Sequence, residues 1–316
     1  MSKLKIVTYL RENECINENI KLIVETLLKE YSDLSIVVFV DRDRTDLGAQ
    51  LPISITAINL SGTKYKRIKK LLETETNSIL LSIDNDTTVI PDALLSFVRN
   101  FISDNNDIGW ARIKAHKTHT FIGRQVAVDK LLSHTVIRPF LWKIGIGISI
   151  PGQLFLLKSD SFSNRLLNVD TYLDDLALGI FANLHISNLK ILMSNKVIGF
   201  EMPKTSFKDL CIQRKRWAKG FYTIWKGIQN KKEKKLVMIH GIAYHFLWIL
   251  QWLLIFMFAI VRWPCAIFYI ILSSYLISRK DLRFILDTMV YQFFFPIFHI
   301  VWITNLLKGD KNENNA

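Results

Sequence analysis

Cysteine is scarce in this sequence, and no metal-binding or redox motif accompanies it. The three cysteines are Cys15, Cys211 and Cys265, and their spacing is neither that of a zinc site nor that of a redox pair. We expect them to be inert thiols in a reducing compartment. A histidine-based metal site is disfavoured as well, because His116 and His119 have no further ligand type near them.

Two other common features are missing. The amino terminus lacks the apolar segment of about 7–15 residues found in a secretory signal, because residues 1–5 lead directly into a strand pattern. We therefore expect the chain to begin in the cytoplasm. The glycine-bearing stretch at 145–153 lacks the form of a phosphate-binding fingerprint, which leaves a simple turn or a close backbone approach to a ligand.

Charge and hydrophobicity are unevenly distributed along the chain. Lys and Arg total 41 against 28 Asp and Glu, a net charge of +13, yet 50% of the residues are hydrophobic. A basic balance of this kind is typical of proteins that bind nucleic acid, an anionic membrane surface or a phosphorylated substrate. Basic residues cluster just before an apolar carboxyl-terminal region, which favours the membrane and disfavours nucleic acid.

The first 110 residues alternate between strand and helix patterns. Apolar runs predict strands at 5–10, 35–40, 53–59 and 78–83, and helical spacing predicts helices at 17–31, 64–73 and from Pro91 onward. This alternation is typical of an open α/β sheet. Further along, the patterns predict a strand at 108–113, a helix at 123–142 and a strand at 154–157.

The stretch 79–88 is the one around which the rest is organised. An apolar run, typical of a strand buried on both faces of a parallel sheet, ends in Asp84, Asn85 and Asp86. With period-two alternation the two carboxylates project to the same side, at the sheet edge where ligands bind. A divalent metal carrying a diphosphate would satisfy them. The alternative is a solvated turn.

A second acidic pair, Asp174 and Asp175, stands at the start of an apolar helical pattern. Carboxylates there are stabilised by the positive end of the helix dipole, so capping is an alternative to catalysis.

Residues 206–235 interleave Lys and Arg with aromatic side chains, as in a helix lying in a membrane interface. The run 236–261 is almost uninterrupted apolar sequence, long enough to span a bilayer. Shorter or marginal apolar runs follow at 264–277 and 284–307. We expect a multi-pass protein with a hairpin crossing, a third segment that spans or is re-entrant, and its basic segments on the cytoplasmic side.

Four short motifs occur in an order and approximate spacing that one enzyme family shares. They are Asp41, Asp84-Asn85-Asp86, Asp174-Asp175 and Gln213-Arg214-Lys215-Arg216-Trp217. The set resembles the family 2 glycosyltransferases, specifically the membrane-integrated branch with cellulose, chitin and hyaluronan synthases. The resemblance implies a GT-A domain over 1–204, a basic interface segment over 205–235, a membrane region of two or three helices over 236–308 and a polar tail over 309–316.

On the donor side, the resemblance implies a nucleotide-diphospho-sugar, with UDP as the expected nucleotide. Asp41 would contact the nucleobase, Asp84 would lie near the ribose and diphosphate, and Asp86 would bind Mg²⁺ or Mn²⁺. Asp41 departs from the family pattern in being followed by Arg42 rather than by an acidic residue.

On the acceptor side, Asp174 and Asp175 match a Glu-Asp pair, with Asp in place of the usual Glu at 174, and Asp175 is implied as the general base. Gln213, Arg216 and Trp217 match the Gln-x-x-Arg-Trp motif that lies over the diphosphate and the acceptor. The acceptor would be a lipid-linked or growing saccharide in cell-surface polysaccharide or glycolipid synthesis. Three helices can hardly enclose a sugar-wide channel, so an oligomer or a separate export partner would be needed for secretion.

Two other functions compete with this interpretation. The stretch 83–88 also resembles the nucleophile loop of haloacid-dehalogenase-type phosphohydrolases, in which Asp84 would be the nucleophile. That hypothesis leaves the segment 213–217 unexplained. A non-catalytic membrane-binding module would need the basic helix but none of the carboxylates.

Overall fold

The computed structural model describes residues 3–11, 14–41, 51–162 and 166–307. The chain divides into two compact units, the first made of Met1–Lys114 and Ile148–Met202 and the second of Ala115–Gly147 and Pro203–Ala316.

In the first unit the described residues form an eight-stranded sheet with the order β3-β2-β1-β4-β7-β6-β8-β5. The strands are β1 (Lys3–Tyr9), β2 (Leu34–Val40), β3 (Ser54–Asn59), β4 (Ser78–Ile83), β5 (Thr88–Val89), β6 (Ile108–Ala115), β7 (Leu154–Lys158) and β8 (Ile191–Glu201). The four at the β3 end run parallel to one another, whereas β7 is antiparallel to both β4 and β6. The prediction of an open α/β sheet is confirmed. The sheet is mixed, because β4 pairs with the parallel β1 on one side and with the antiparallel β7 on the other.

The helices of the first unit begin at residues suited to that position. They are α1 (Glu18–Leu28), α2 (Lys64–Thr74), α3 (Pro91–Ser103) and α6 (Asp174–His185). Asn17 caps α1 by accepting from the N–H of Asn19, and Thr63 caps α2 by accepting from the N–H of Lys66. Side-chain caps of this kind satisfy backbone donors that the first helical turn leaves open.

The core of the first unit lies around β1, β2 and β4. Every residue of β4 is buried, and its side chains pack with those of α1 and α3 in one apolar cluster. Burial on both faces explains why this strand has a continuous apolar sequence. The polar residues that follow Ile83 therefore emerge at the edge of a rigid sheet.

The second unit is helical. Its helices are α4 (Phe121–Leu132), α5 (Arg138–Lys143), α7 (Phe207–Gly227), α8 (Lys231–His245), α9 (Leu247–Val261), α10 (Trp263–Ser278) and α11 (Ile285–Leu307). A single wider turn, Ser133–Ile137, joins α4 to α5. The helical pattern read at 123–142 corresponds to these three segments.

The apolar tail differs from the expectation of long membrane-spanning helices. Within the described residues, no single helix is both long and apolar enough to cross a bilayer. Two bent pairs meet the criterion only when taken together: Lys231–His245 with Leu247–Val261, bent by 43°, and Leu282–Phe294 with Pro296–Leu307, bent by 41°. The second bend falls at Pro296, which has no N–H to continue the helix. The run 236–261 is broken at Phe246, between α8 and α9.

Candidate active site

The first acidic motif lies in a turn at the carboxyl end of β4. The N–H of Asp84 donates to the carbonyl of Gln153 at 3.0 Å, and the N–H of Thr87 donates to the carbonyl of Asp84, also at 3.0 Å. Because the strand ends at Ile83, strand alternation does not set the directions of Asp84 and Asp86. The prediction that strand alternation directs these two carboxylates is therefore wrong, although both do follow the central strand.

A lysine joins the two acidic motifs. The Nζ of Lys64 donates to Asp84 Oδ1 at 2.7 Å and to the carbonyl of Gly152 at 2.5 Å, and it lies 3.6 Å from Asp174 Oδ2. The same ammonium stands 4.9 Å from the ring centroid of Tyr9. Lys64 is the first residue of α2, so the cap at Thr63 fixes where its side chain begins. No motif in the sequence singles out this residue.

The electrostatics of this cluster follow from its burial and its one central cation. Burial raises the pKa of Asp84 to about 6 and that of Asp174 to about 6, and Lys64 opposes both rises. Burial alone would lower the pKa of Lys64, but Asp84 and Asp174 together raise it above its ordinary value. Lys64 therefore stays charged. Keeping the two carboxylates ionised costs free energy, and a further cation nearby would reduce that cost.

Asp174 and Asp175 form the first turn of α6, which has no side-chain cap. Asp174 is buried, and its Oδ2 has no hydrogen-bond partner among the described residues. Asp175 is half-buried and accepts from the N–H of Leu176 at 2.9 Å. A Cβ placed on Gly152 would lie 3.5 Å from the Cβ of Asp175. The pair thus borders the same backbone carbonyl that Lys64 contacts.

Helix α2 also holds the segment that leads into α6. The hydroxyl of the buried Tyr65 donates to the carbonyl of Leu167 at 3.0 Å, and Thr63 Oγ1 donates to Asp170 at 2.5 Å. These bonds join residues about 100 positions apart in sequence. One helix therefore sets the position of both the lysine and the chain before Asp174.

Asp41 directly follows β2 and forms an ion pair with the buried Arg67 of α2. Arg67 also donates to the carbonyl of Leu60 at 2.8 Å. Arg42, the departure noted in the sequence, lies outside the described residues. Asp41, the acid expected to contact the nucleobase, is therefore paired with Arg67, a residue that no sequence motif marks.

Gln213, Arg216 and Trp217 belong to α7 in the second unit. This helix is capped by Ser206, whose Oγ accepts from the N–H of Asp209 at 3.1 Å. Arg216 is exposed, and the ring of Trp217 lies 4.5 Å from the guanidinium of Arg214. The buried arginine of this segment is Arg214, to which the Gln-x-x-Arg-Trp motif assigns no role.

The four motifs are therefore distributed between the units. The first unit brings Asp84 and Asp174 together around Lys64, with Asp175 bordering Gly152, and it pairs Asp41 with Arg67. The second unit holds Gln213, Arg216 and Trp217 on one helix.

Solved structures of known proteins resemble this chain to different degrees. A mannosyltransferase, PcManGT from Pyrobaculum calidifontis, solved with GDP-Man and Mn²⁺, has a TM-score of 0.54 at 13% identity, covering 98% of this chain and 88% of that one. Glucosyl-3-phosphoglycerate synthase from Mycobacterium tuberculosis, solved with Mg²⁺ and UDP, has a TM-score of 0.46 at 14% identity over 73% of this chain and 81% of that one. S. aureus TarS matches with a TM-score of 0.43 at 14% identity over 77% of this chain, which spans only 43% of TarS. No curated protein matches the sequence.

A family model gives the assignment independently of the fold. The model described as glycosyl transferase family group 2 matches residues 79–306, which is more than half of the chain and includes the motifs at Asp84, Asp174 and Gln213. The mannosyltransferase comparison shows the fold alone. The chain belongs to the glycosyl transferase family group 2 and has the GT-A fold.

Proposed function

We propose that this protein transfers a sugar from a nucleotide-diphospho-sugar to a hydroxyl group, with inversion at the sugar carbon. The observation that carries the proposal is the cluster of Asp84, Asp174 and Lys64 at the carboxyl end of β4, with Asp175 beside it. Family membership supports a transferase over the phosphohydrolase alternative. The ion pair of Lys64 with Asp84 also occupies the carboxylate that a phosphohydrolase would use as nucleophile.

The donor side consists of Asp41, Asp84 and Asp86. Asp41 and Arg67 would recognise the base, and Asp84 would lie near the ribose and diphosphate. We propose UDP as the nucleotide, an assignment that follows from the family resemblance of the sequence.

The carboxylates fit a divalent cation. Asp86 is exposed and is close enough to Asp84 to raise its pKa. The described residues contain no group of three or more side chains that could hold a metal alone. One or two carboxylates completed by phosphate oxygens are the usual set for Mg²⁺, and Mn²⁺ is also suited by oxygen ligands. Asp86, with Asp84 beside it, would hold the ion, which would neutralise charge on the departing diphosphate.

The acceptor side is centred on Asp175. Its carboxylate would take the proton of the acceptor hydroxyl as that oxygen bonds to the sugar carbon and the bond to the diphosphate breaks. Asp174, adjacent and buried, would orient the acceptor. For Gln213, Arg216 and Trp217 we propose contacts to the diphosphate and acceptor, since arginine donates to phosphate in a planar fork and an indole offers an apolar face to a sugar ring.

We further propose that the protein works at the cytoplasmic face of the cell membrane on a lipid-linked or growing saccharide. Support comes from α9, none of whose residues is buried although the helix is almost wholly apolar. Leu253 is 61% exposed and Ile260 is 84% exposed. Exposed apolar surface on this scale marks a membrane or protein contact, and the lysines at 231–235 suit anionic lipid.

The transferase proposal is tested by incubating the full-length protein, in its native membrane, with a panel of nucleotide sugars and Mn²⁺. We expect one of them to yield free nucleoside diphosphate, and Asp86→Asn to lose the metal-dependent part of donor binding. Undiminished metal-dependent binding in Asp86→Asn would remove the metal assignment. Formation of a phosphorylated Asp84 would instead establish the phosphohydrolase.

The membrane proposal is tested by flotation with phosphatidylglycerol vesicles. We expect the wild type to float and the double variant Leu253→Asp, Ile260→Asp to remain in the soluble fraction. Flotation of both proteins to the same extent would show that α9 is not the attachment surface.

A further inference from the structure

Asn85, the residue between the two motif carboxylates, hydrogen-bonds to the backbone of the segment that follows β1. Its Oδ1 accepts from the N–H of Asn17 at 3.0 Å, and its Nδ2 donates to the carbonyl of Cys15 at 3.1 Å. One side chain thus engages a main-chain donor and a main-chain acceptor two residues apart. These two hydrogen bonds directly join the turn at residues 84–87 to the segment before α1.

The chemistry of this contact is specific to asparagine. A carboxylate can only accept, so aspartate would keep the bond from Asn17 and repel the carbonyl of Cys15. The orientation of the amide is fixed by its partners, since the reversed amide would set donor against donor and acceptor against acceptor. Neither metal binding nor base catalysis explains why an amide stands between Asp84 and Asp86.

Further bonds make both joined segments rigid. Asn17 is the cap of α1, and Asn19 Nδ2 lies 3.4 Å from Thr88 Oγ1. The turn itself is closed by the bond from the N–H of Thr87 to the carbonyl of Asp84. Asn85 therefore connects two ordered elements.

The order of strands gives this connection a functional meaning. Asp41 follows β2 and Asp84 follows β4, and β1 lies between these two strands. Neighbouring strands are about 4.8 Å apart, so the two acids stand at strand ends roughly 10 Å from each other. A nucleotide that contacts both must pass over the carboxyl end of β1, where the segment after Tyr9 begins.

We propose that Asn85 is a positioning residue that fixes residues 14–17 relative to the turn 84–87, so that the donor nucleotide meets a preformed edge. This inference rests on the proposed function, because it requires the donor to contact both Asp41 and Asp84. Asn85 does not touch the reacting atoms. Its loss should therefore weaken donor binding and leave the rate of the bound complex almost unchanged.

The test compares Asn85→Ala and Asn85→Asp in the full-length protein. Calorimetric titration with UDP and with GDP, each with Mn²⁺, should show about tenfold weaker binding for Asn85→Ala, since two neutral hydrogen bonds are lost. The KM for the donor should rise by the same factor, with kcat within about twofold of the wild type. Asn100→Ala, the same change on an exposed position of α3 in the same unit, should alter neither value.

Hydrogen exchange at the amide of Asn17 provides a readout that does not depend on activity. Asn85→Ala should speed this exchange, whereas Asn85→Asp should preserve the protection because its carboxylate still accepts from that N–H. Asn85→Asp should nevertheless weaken nucleotide binding, since it loses the Cys15 bond and adds negative charge. Thermal unfolding of each variant verifies that it is folded.

Unchanged exchange in Asn85→Ala, or unchanged nucleotide affinity despite faster exchange, would overturn the positioning role. A wild type that binds neither UDP nor GDP and releases no nucleoside diphosphate from any nucleotide sugar would overturn the proposed function, and the donor role of Asn85 with it. Hydrogen exchange at Asn17 distinguishes these two outcomes, because it reports the hydrogen bond between Asn17 and Asn85 and does not depend on donor binding.

Discussion

Each unit holds a cluster of charges that includes a buried carboxylate, and the two carboxylates are hydrogen-bonded to different degrees. In the second unit, both oxygens of Asp129 are bonded: Oδ2 accepts from Arg214 and Oδ1 accepts from the hydroxyl of Tyr291, each at 2.6 Å. Burial would raise the pKa of Asp129, but the charge of Arg214, with contributions from His299 and Tyr291, holds it below its ordinary value.

The cluster of the first unit is left open. Asp174 Oδ2 has no hydrogen bond among the described residues, and the pKa of its carboxyl is raised rather than lowered. A buried carboxylate whose partners are complete stabilises the fold, whereas one whose partners are incomplete is typical of a site that a ligand completes. The comparison therefore predicts that removing a carboxylate charge destabilises the fold in the second cluster but not in the first, where the larger effect falls on catalysis.

The largest effect is expected at Asp175. Asp175→Asn should slow transfer by about 10²–10⁴-fold, the usual loss when a general base is removed, while donor binding stays nearly intact. Single-turnover rates and donor titration measure the two quantities separately. Asp92→Asn, the same change in the first turn of α3, controls for the helix dipole. A collapse of donor affinity with a normal rate per bound donor would show that Asp175 is only a structural cap.

A comparable loss, but of stability, is expected in the second cluster. Asp129→Asn leaves the guanidinium of Arg214 buried without its charge partner and should lower the free energy of unfolding by about 3–5 kcal/mol. Tyr291→Phe removes one hydrogen bond and should cost about 1 kcal/mol. Urea unfolding measures both, and UDP affinity should stay at the wild-type value in Tyr291→Phe. A loss of nucleotide binding in that variant without a loss of stability would contradict the contrast drawn between the clusters.

The lysine in the first cluster and the arginine in the second sharpen the comparison. Lys64→Met leaves Asp84 and Asp174 without their cation and should lower the free energy of unfolding by about 1–3 kcal/mol in EDTA. Millimolar Mn²⁺ should restore part of that loss, because a divalent ion can take the place of the ammonium. Arg214→Met should not be rescued by Mn²⁺. Equal rescue of both variants, or of neither, would remove the distinction between a carboxylate whose partners are incomplete and one whose partners are complete.

Much of the first unit could be predicted from the sequence because its signals are local. The apolar run of β4 and the two carboxylates after it stand in one stretch of ten residues, and an acidic pair before an apolar helical pattern marks the start of α6. The antiparallel β7 could not be predicted, since pairing direction depends on residues 70 positions away. Lys64 was missed because a lysine in a basic helix is usually solvated, and nothing local shows that it reaches Gly152.

The second unit shows a different limit. Hydropathy reports composition, so a run of 26 residues without charge predicted one span, whereas the chain bends between α8 and α9. The role of Arg214 had a readable signal. Leu210, Arg214, Ala218 and Phe221 recur at helical spacing and are all buried, so the arginine lies on the apolar face and needs a buried partner.

The smallest effect is a pH dependence that has opposite signs in the two clusters. The pKa of Asp174 is raised from 3.8 to about 6 in the folded protein. Between these values the folded state holds a proton that the unfolded state has lost, so stability falls as the pH rises through this window. Asp174→Asn removes the contribution of Asp174, while that of Asp84, whose pKa is also raised to about 6, remains. The variant should unfold at a higher temperature than the wild type at pH 7.5, by on the order of 1 kcal/mol in stability, with the advantage shrinking toward pH 4. Asp129, whose pKa is lowered, contributes stability that is lost as the pH falls.

Thermal unfolding in EDTA from pH 4 to 7.5 measures the profile, and Asp33→Asn, at an exposed position of the first unit, should leave it unchanged. An Asp174→Asn variant less stable than the wild type at pH 7.5 would show that the Asp174 carboxylate stabilises the fold. That result would contradict the contrast drawn between the two clusters.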